Sequence, residues 1–304
     1  MDLKEFSFLL GAEDPEMNVI EGVLSALNLK FEYAVKNSIR VNPTNAYEAE
    51  NDIDVIKTIF IECDVKYNNN KKGVLLDHHH KNDYGYHKDA KDFLDASSIG
   101  QLFKILLNHK KEKMLKIFML KTYKLNKQDG YYYDKKWIYV LKKIAVVIPD
   151  RLVKIAAIDH CLHEAYLNMC PGVDSESLLD VRLTSLAVEN NITYDEALEK
   201  FEYYKRILEK NEKNLDILDL TNINLGVGYS NDYLIIREVS LFLNIPIAVK
   251  TLNDNNCTGK LMMFSLGKDQ VKDFLNKKEF KKYKVKNVFG VPNRGYAGGM
   301  LINN

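Results

Sequence analysis

The chain has 304 residues, 46% of them hydrophobic, and 43 Lys and Arg against 42 Asp and Glu, which leaves a formal charge of +1 at pH 7. This length allows a full core and two ordinary domains, and the near-zero charge excludes the basic track of a protein that binds long duplex nucleic acid. The sequence contains neither an apolar run long enough to span a bilayer nor a signal-peptide pattern. The four cysteines have neither zinc-ribbon spacing nor that of a disulfide framework. We therefore expect a soluble, cytoplasmic protein with no membrane partner.

The first third of the chain alternates strand-like and helix-like segments, a pattern typical of a parallel sheet covered by helices. Strands are predicted at residues 6–10, 31–35, 55–61 and 73–76. Asp14, Pro15 and Glu16 indicate a helix start, because a capping carboxylate is followed by Pro at the first helical position. The predicted fold class is α/β, with an open parallel sheet in the N-terminal domain.

The rest of the chain predicts a helical region and then a smaller C-terminal α/β domain. Helices are expected at residues 90–109, 151–167, 175–188, 193–208, 233–243 and 269–275, and strands at 217–220, 245–249 and 261–264. We predict a metal-binding domain at residues 1–190, a helical linker at 191–213 and a substrate-binding domain at 214–304. Residues 131–137, rich in Tyr, are interpreted as an amphipathic insertion, with a stacking surface for single-stranded nucleic acid as the alternative.

Acidic and histidine residues follow the predicted strands, where ligands bind in open α/β sheets. The candidate metal ligands are Asp14, Glu16, Asp64, Asp77, His78 and Asp159, with His79 and His160 beside them. Carboxylate and imidazole groups without thiolate favour Mn²⁺ or Mg²⁺. Two such ions would polarise a phosphoryl group and activate water for in-line attack. Each isolated Asp can instead be a helix cap or turn residue, and the histidine run can be a solvated loop.

The order of these groups resembles the DHH phosphoesterase family, which includes single-strand exonucleases, oligoribonucleases, pyrophosphatases and cyclic-dinucleotide phosphodiesterases. The resemblance is carried by Asp14-x-Glu16, Asp64 and the run Asp77-His78-His79, followed by a small-residue turn at 96–100. It implies a paired Mn²⁺ site formed by the ligands above, with Asp77, His78 and His79 as the catalytic motif. His79 would support that site or face the phosphate. Two positions depart from the family pattern: Leu10 stands where a histidine is usual, and Glu16 where a second Asp is usual.

The glycine-rich segment near the C-terminus resembles that of the DHH-associated C-terminal domain. The residues expected to bind substrate are Arg294, Gly295, Gly298, Gly299 and His160. Such a run lets backbone N–H groups approach a phosphate while an arginine donates two hydrogen bonds. An ordinary glycine-rich turn is the alternative.

Three functions follow as hypotheses. The first is an enzyme, a metal-dependent phosphoesterase hydrolysing a nucleotide, a linear or cyclic dinucleotide or a short oligonucleotide. The second is a DHH-like protein with a degraded first motif that sequesters a nucleotide or binds a partner protein. The third is a structural protein whose tyrosine-rich insertion forms a homo-oligomer interface. Residues 14–17, 40–47, 159–161 and 294–299 also resemble a group of phage-encoded proteins, which implies a host cytoplasm, a host protein partner and a counter-defence role.

Overall fold

A computed structural model describes residues 3–66, 73–86, 88–108, 139–140, 147–148, 150–211, 218–219, 232–252, 259–280, 283–291 and 294–302. The predicted insertion at 131–137, together with His87 and His109, lies outside the described residues. Within the described residues, no helix has both the length and the apolar character needed to cross a membrane. The chain forms two compact units, Met1–Cys161 with Cys170–Val173 and Leu162–Met169 with Asp174–Asn304.

The first unit contains a parallel sheet of four strands. In chain order they are β1 (Ser7–Leu10), β2 (Lys30–Tyr33), β5 (Thr58–Ile61) and β6 (Val74–Leu76), arranged β2-β1-β5-β6. A two-stranded antiparallel ribbon, β3 (Val35–Lys36) with β4 (Ile39–Arg40), follows β2. Every neighbouring pair in the four-stranded sheet is parallel. The predicted α/β class with an open parallel sheet is confirmed.

Two of the predicted strands differ from the observed ones in ways that matter for the site. Residues 55–57 form a short 3-10 helix instead of the start of a strand, because the Asp54 side chain caps it by accepting from Ile56 N. β6 was expected to be buried, yet Val74 and Leu75 are partly exposed, since β6 is the last strand on its side of the described sheet.

Helix α1 (Pro15–Ala26) follows β1 and packs a buried face of Met17, Ile20 and Leu24. Its predicted cap is confirmed: Oδ1 of Asp14 accepts a 2.7 Å hydrogen bond from Met17 N. Further along come α2 (Phe93–Ala96), α3 (Ser98–Asn108), the strand pair β7 (Tyr139–Val140) and β8 (Val147–Ile148), and α4 (Asp150–Tyr166). The backbone of α4 leaves helical geometry at Cys161, which has φ −153° and ψ 51°.

The second unit combines helices with a six-stranded sheet. Its helices are α5 (Ser175–Glu189), α6 (Tyr194–Asn211), α7 (Tyr233–Leu243) and α8 (Lys268–Lys277). Its strands are β9 (Leu218–Asp219), β10 (Ile247–Leu252), β11 (Gly259–Phe264), β12 (Glu279–Phe280), β13 (Tyr283–Val291) and β14 (Tyr296–Leu301), in the order β12-β13-β14-β11-β10-β9. All the pairs are antiparallel except β9 with β10.

Three helices of the second unit, α5, α6 and α7, share one hydrophobic core with part of its sheet. Leu186 of α5, Phe201 of α6 and Val239 of α7 are buried together. The residues predicted as a separate helical linker, 191–213, therefore include a helix with a packed face. The predicted domain boundaries, 1–190, 191–213 and 214–304, stay a prediction.

Candidate metal centre

The strands β1, β5 and β6 end at the same level of the parallel sheet. Leu10 is paired with Ile61, and Ile61 with Leu76, so the next residues in sequence are Gly11, Glu62 and Asp77. In an open parallel sheet this carboxyl edge is where ligands bind. Two acidic side chains, from neighbouring strands, thus start from one edge.

Glu62 is the functional candidate that the sequence analysis missed. It follows the last residue of β5, has a left-handed backbone (φ 51°), and donates its N–H to Leu76 O at 3.1 Å. Its Oε1 accepts a 2.7 Å hydrogen bond from the buried Ser98 hydroxyl, at the start of α3. The available signal was position: Glu62 follows its strand as directly as Asp77 does, whereas Asp64 lies two residues further on.

Four side chains from separate segments come together at this edge. Glu16 comes from the first turn of α1, Glu62 from the end of β5, His78 from the loop after β6, and Asp159 from α4. One donor atom from each lies within 4.8 Å of the others. Glu16, Glu62 and His78 are buried, and Asp159 is mostly so. Three of these residues were predicted metal ligands, and the structure brings them together.

Several atoms of this cluster that could ligate a metal have no hydrogen-bond partner, which indicates that the cluster fits a cation. Among the described residues, Glu16 Oε2, both ring nitrogens of His78 and Asp159 Oδ2 are buried without a hydrogen-bond partner. His78 Nε2 lies 3.0 Å from Asp159 Oδ2 without hydrogen-bond geometry. Neighbouring ligands of an octahedral ion with bonds of about 2.1 Å are themselves about 3.0 Å apart. A cation would pair these atoms, whose burial alone is costly.

The pKa values of the carboxyl groups in and near the cluster also indicate a cation site. Burial, and next the charge of Asp159, hold the pKa of Glu16 and of Glu62 well above the usual range for a glutamate. The same two causes raise the pKa of Asp14 to about 6. Burial also acts to raise the pKa of Asp159, but the charge of His78 outweighs it and lowers that pKa. Carboxyl groups that crowd one another in this way are relieved by a divalent cation.

Asp77 was predicted to ligate metal; it lies in a separate candidate ligand group with His80 and Asp83, and both of its oxygens accept hydrogen bonds within the protein. Oδ1 accepts from His78 N at 2.6 Å, from His79 N at 3.0 Å and from His79 Nδ1 at 2.8 Å. Oδ2 accepts from the Tyr47 hydroxyl at 2.7 Å. Burial opposes ionisation, yet the bonds from His79 and Tyr47 lower the pKa of Asp77. The carboxylate is therefore an ionised anchor for the loop that carries His78 and His79.

His79 lies beside the cluster as an imidazolium held by Asp77. Its ring stacks on that of His78 with centroids 4.2 Å apart, and it forms a second candidate ligand group with Glu62 and His78. Burial lowers its pKa, but the hydrogen bond to Asp77 and the charges of Glu62 and Asp159 prevail and raise that pKa to about 9. Without a bound cation this side chain is positively charged at neutral pH.

The loop after β6 is held in place by its surroundings as well as by Asp77. The Asp77 carbonyl accepts from Gly85 N at 3.1 Å and from the Gln101 side chain at 2.9 Å. Gly85 is required by space: a Cβ there would lie 2.1 Å from Ala96 O and 2.5 Å from His78 Cβ. The small residues 96–100 end α2 and begin α3, and Ile99 N donates to Glu16 Oε1 at 3.0 Å.

The other predicted residues of the first unit are not members of the four-residue ligand group. Asp14 caps α1, and Asp64 Oδ1 accepts from Val65 N at 2.7 Å; neither belongs to a candidate ligand group among the described residues. Leu10 is fully buried in the core and offers no donor atom. The His160 ring lies 5.2 Å from that of His78, and its Nε2 is 3.1 Å from Lys88 O.

The predicted phosphate-binding glycines belong to the second unit, and two of them lie inside a sheet. Gly298 and Gly299 are in β14, between β13 and β11. A Cβ on Gly298 would lie 2.7 Å from Leu261 O, so close packing of strands also explains this glycine. Gly295 differs because its φ of +62° needs glycine, and a Cβ there would lie 2.6 Å from His163 Nδ1. The predicted role of Arg294 in binding substrate stays a prediction.

Comparison with known proteins gives limited results. No protein-family model and no curated protein matches the sequence. Among solved structures, the chain is similar to a protein titled a pGpG-specific phosphodiesterase, PggH from Vibrio cholerae. The sequence identity is 11%, the match covers 97% of this chain and 93% of that chain, and the TM-score is 0.42. A similarity of this degree assigns no activity to the present chain.

Proposed function

We propose that this protein is a metal-dependent phosphoesterase that hydrolyses a nucleotide, a linear or cyclic dinucleotide or a short oligonucleotide. The observation that carries the proposal is the buried cluster of Glu16, Glu62, His78 and Asp159 at the carboxyl edge of the parallel sheet, with unpaired donor atoms. The resemblance to the DHH motifs supports the same reaction class. We place the protein in a cytoplasm, that of the host if it is phage-encoded.

Oxygen and imidazole donors suit Mn²⁺ or Mg²⁺, and we expect Glu16, Glu62, His78 and Asp159 to hold one such ion. The neighbouring group that adds His79 to Glu62 and His78 is the candidate for a second ion. The bound cations would supply positive charge that polarises the phosphoryl group and activates water.

The chain's own residues position and charge this centre. Asp77 fixes His78 and His79 by accepting both backbone N–H groups, and keeps the proton on Nδ1 of His79. Where no second ion is bound, His79 is cationic beside the cluster and can stabilise negative charge on a substrate phosphate. In the second unit, Arg294 and Gly295 are the proposed phosphate-binding residues.

A capture protein is the second candidate function, and one observation favours it. Leu10 is buried and apolar, so one position of the family pattern offers no ligand atom, and both Asp77 oxygens already accept hydrogen bonds within the chain. A centre with fewer ligands holds fewer ions. Such a protein would sequester a nucleotide, or bind a host protein, without hydrolysing it.

Hydrolysis assays with Mn²⁺ separate these functions. Linear dinucleotides, cyclic dinucleotides and nucleotide bisphosphates are offered to the wild type, to Asp159→Asn and to Asp64→Asn as the matched control. The enzyme hypothesis expects turnover that Asp159→Asn abolishes and Asp64→Asn retains. Nucleotide binding by calorimetry without turnover would support the capture protein instead. Neither turnover nor binding of Mn²⁺ or nucleotide would overturn both proposals.

A further inference from the structure

Tyr84, Lys88 and Lys104 form a cationic group on the surface of the first unit. The Tyr84 side chain is 55% exposed, and Lys88 Nζ lies 3.3 Å from the centroid of its ring. Lys104 Nζ donates to the Tyr84 hydroxyl at 3.3 Å and lies 5.1 Å from the ring centroid. Two ammonium groups thus lie beside the ring and the hydroxyl of Tyr84.

Only one acidic side chain forms an ion pair with this group in the part of the chain that the structure describes. Lys104 Nζ lies 3.0 Å from Asp95 Oδ2, and both side chains are about a third or more exposed. An exposed pair of this kind contributes little free energy, so Asp95 is easily displaced by a stronger anion. Lys88 is held by the aromatic ring, which leaves its N–H groups able to donate.

The group adjoins the loop of the candidate metal centre. Gly85, next to Tyr84, has its Cα so close to His78 that an added Cβ would lie 2.5 Å from the His78 Cβ. From the other side, the Lys88 carbonyl lies 3.1 Å from Nε2 of His160, whose ring contacts that of His78 edge to face. The backbone of both residues is therefore fixed relative to His78.

The negative charges of the centre and of the substrate make a nearby cationic group useful for binding the substrate. The centre is lined by carboxylates, whereas an oligonucleotide substrate brings more negative charge than the one phosphate that is cleaved. We propose that Tyr84, Lys88 and Lys104 form an anion subsite that binds a second phosphate of the substrate, such as the terminal phosphate of a dinucleotide. This deepens the phosphoesterase function proposed above and rests on it.

The state of the Tyr84 hydroxyl agrees with such a role. Hydrogen bonding by Lys88, and next by Lys104, lowers the pKa of this phenol. A more acidic hydroxyl is a stronger hydrogen-bond donor, and both ammonium groups lie beside the same side chain. A phosphate bound there would meet three donors.

The test compares two dinucleotides that differ only in a 5′-phosphate, under Mn²⁺, in the wild type and in the double variant Lys88→Gln/Lys104→Gln. We expect the wild type to have the lower KM for the phosphorylated substrate, and the double variant to lose about tenfold of that preference, since a hydrogen bond to a charged group is of this strength. Tyr84→Phe should lose a smaller part. The control Lys91→Gln, whose residue pairs with Asp89 on the exposed surface, should keep the preference.

Equal KM values for the two substrates in the wild type, or a preference unchanged in the double variant, would overturn the subsite. If neither dinucleotide is hydrolysed, no KM can be compared, and the subsite is then judged by calorimetry with the same two dinucleotides in EDTA, while the phosphoesterase proposal is judged by the wider substrate set above. There, tighter binding of the phosphorylated one that the double variant loses supports the subsite, and equal binding of both overturns it.

Discussion

The Tyr47 hydroxyl donates a 2.7 Å hydrogen bond to Oδ2 of Asp77, the buried carboxylate whose other oxygen holds the next two residues of the chain. We predict that Tyr47→Phe lowers the free energy of unfolding by about 1–3 kcal/mol, because a buried carboxylate oxygen loses its partner. Urea denaturation measures the change. Tyr33→Phe is the control, since that side chain lies at the surface and should change stability by less than about 0.5 kcal/mol. Similar losses in both variants would mean that Asp77 does not depend on Tyr47.

Substituting Asp64, a ligand predicted from the sequence, and Glu62, a candidate ligand indicated by the structure, tests the position of the centre. Glu62 is in both candidate ligand groups that contain His78, whereas Asp64 is in none among the described residues. Glu62→Gln should therefore weaken Mn²⁺ binding by about 10–100-fold or more, and Asp64→Asn should leave it nearly unchanged. Calorimetric titration with Mn²⁺ gives both dissociation constants. A larger effect from Asp64→Asn would restore the ligand set that the sequence indicated.

Gly85 is predicted to be indispensable for the loop that carries His78. A Cβ at this position would overlap Ala96 O and His78 Cβ, so Gly85→Ala should cost about 1–3 kcal/mol of stability and weaken Mn²⁺ binding as well. Gly267→Ala is the matched control, because its nearest atom, Gln270 Oε1, is 3.5 Å from the added Cβ. Thermal unfolding with and without Mn²⁺ reads out both effects. A Gly85→Ala protein as stable as the control would show that the loop can move away.

Much of this architecture was predictable because local patterns settle it. The cap at Asp14 rests on residues three apart and is observed. The convergence of Glu16, His78 and Asp159 also followed from their places after strands and on helices. Such signals depend on neighbours in sequence or on the common edge of a parallel sheet.

The acid after β5 that enters the centre could have been found by position, because the strand was predicted to end at Ile61, as it does, and Glu62 follows it directly. The start of β5 could not be predicted, because Asp54 caps a 3-10 helix and shortens the strand to residues 58–61. The hydrogen bond between Tyr47 and Asp77 could not be predicted either, since Tyr47 lies thirty residues away in sequence and contacts Asp77 only in the folded chain. Long-range hydrogen bonds of this kind leave no periodic pattern.

The stabilisation that Mn²⁺ gives should grow as the pH rises from 5.5 to 7.5. Burial and mutual repulsion raise the pKa of Asp14 to about 6, and raise those of Glu16 and Glu62 well above the usual range. A carboxyl group whose pKa is raised in the folded protein stabilises the metal-free fold at pH values below its pKa in the unfolded chain. That stabilisation is lost as the pH rises through its pKa in the folded protein. Asp159 and Asp77 have lowered pKa values, so their contribution is lost only in stronger acid.

Mn²⁺ binds the ionised carboxylates, so it competes with protons at pH 5.5 and meets little competition at pH 7.5. The increase in Tm on adding Mn²⁺ should therefore be several degrees larger at pH 7.5, as measured by thermal unfolding in parallel samples with EDTA. Asp159→Asn should abolish the increase at both pH values, while Asp64→Asn should retain the pH dependence. An increase that is equal at the two pH values would show that the raised carboxyl groups are not the ones that bind the ion.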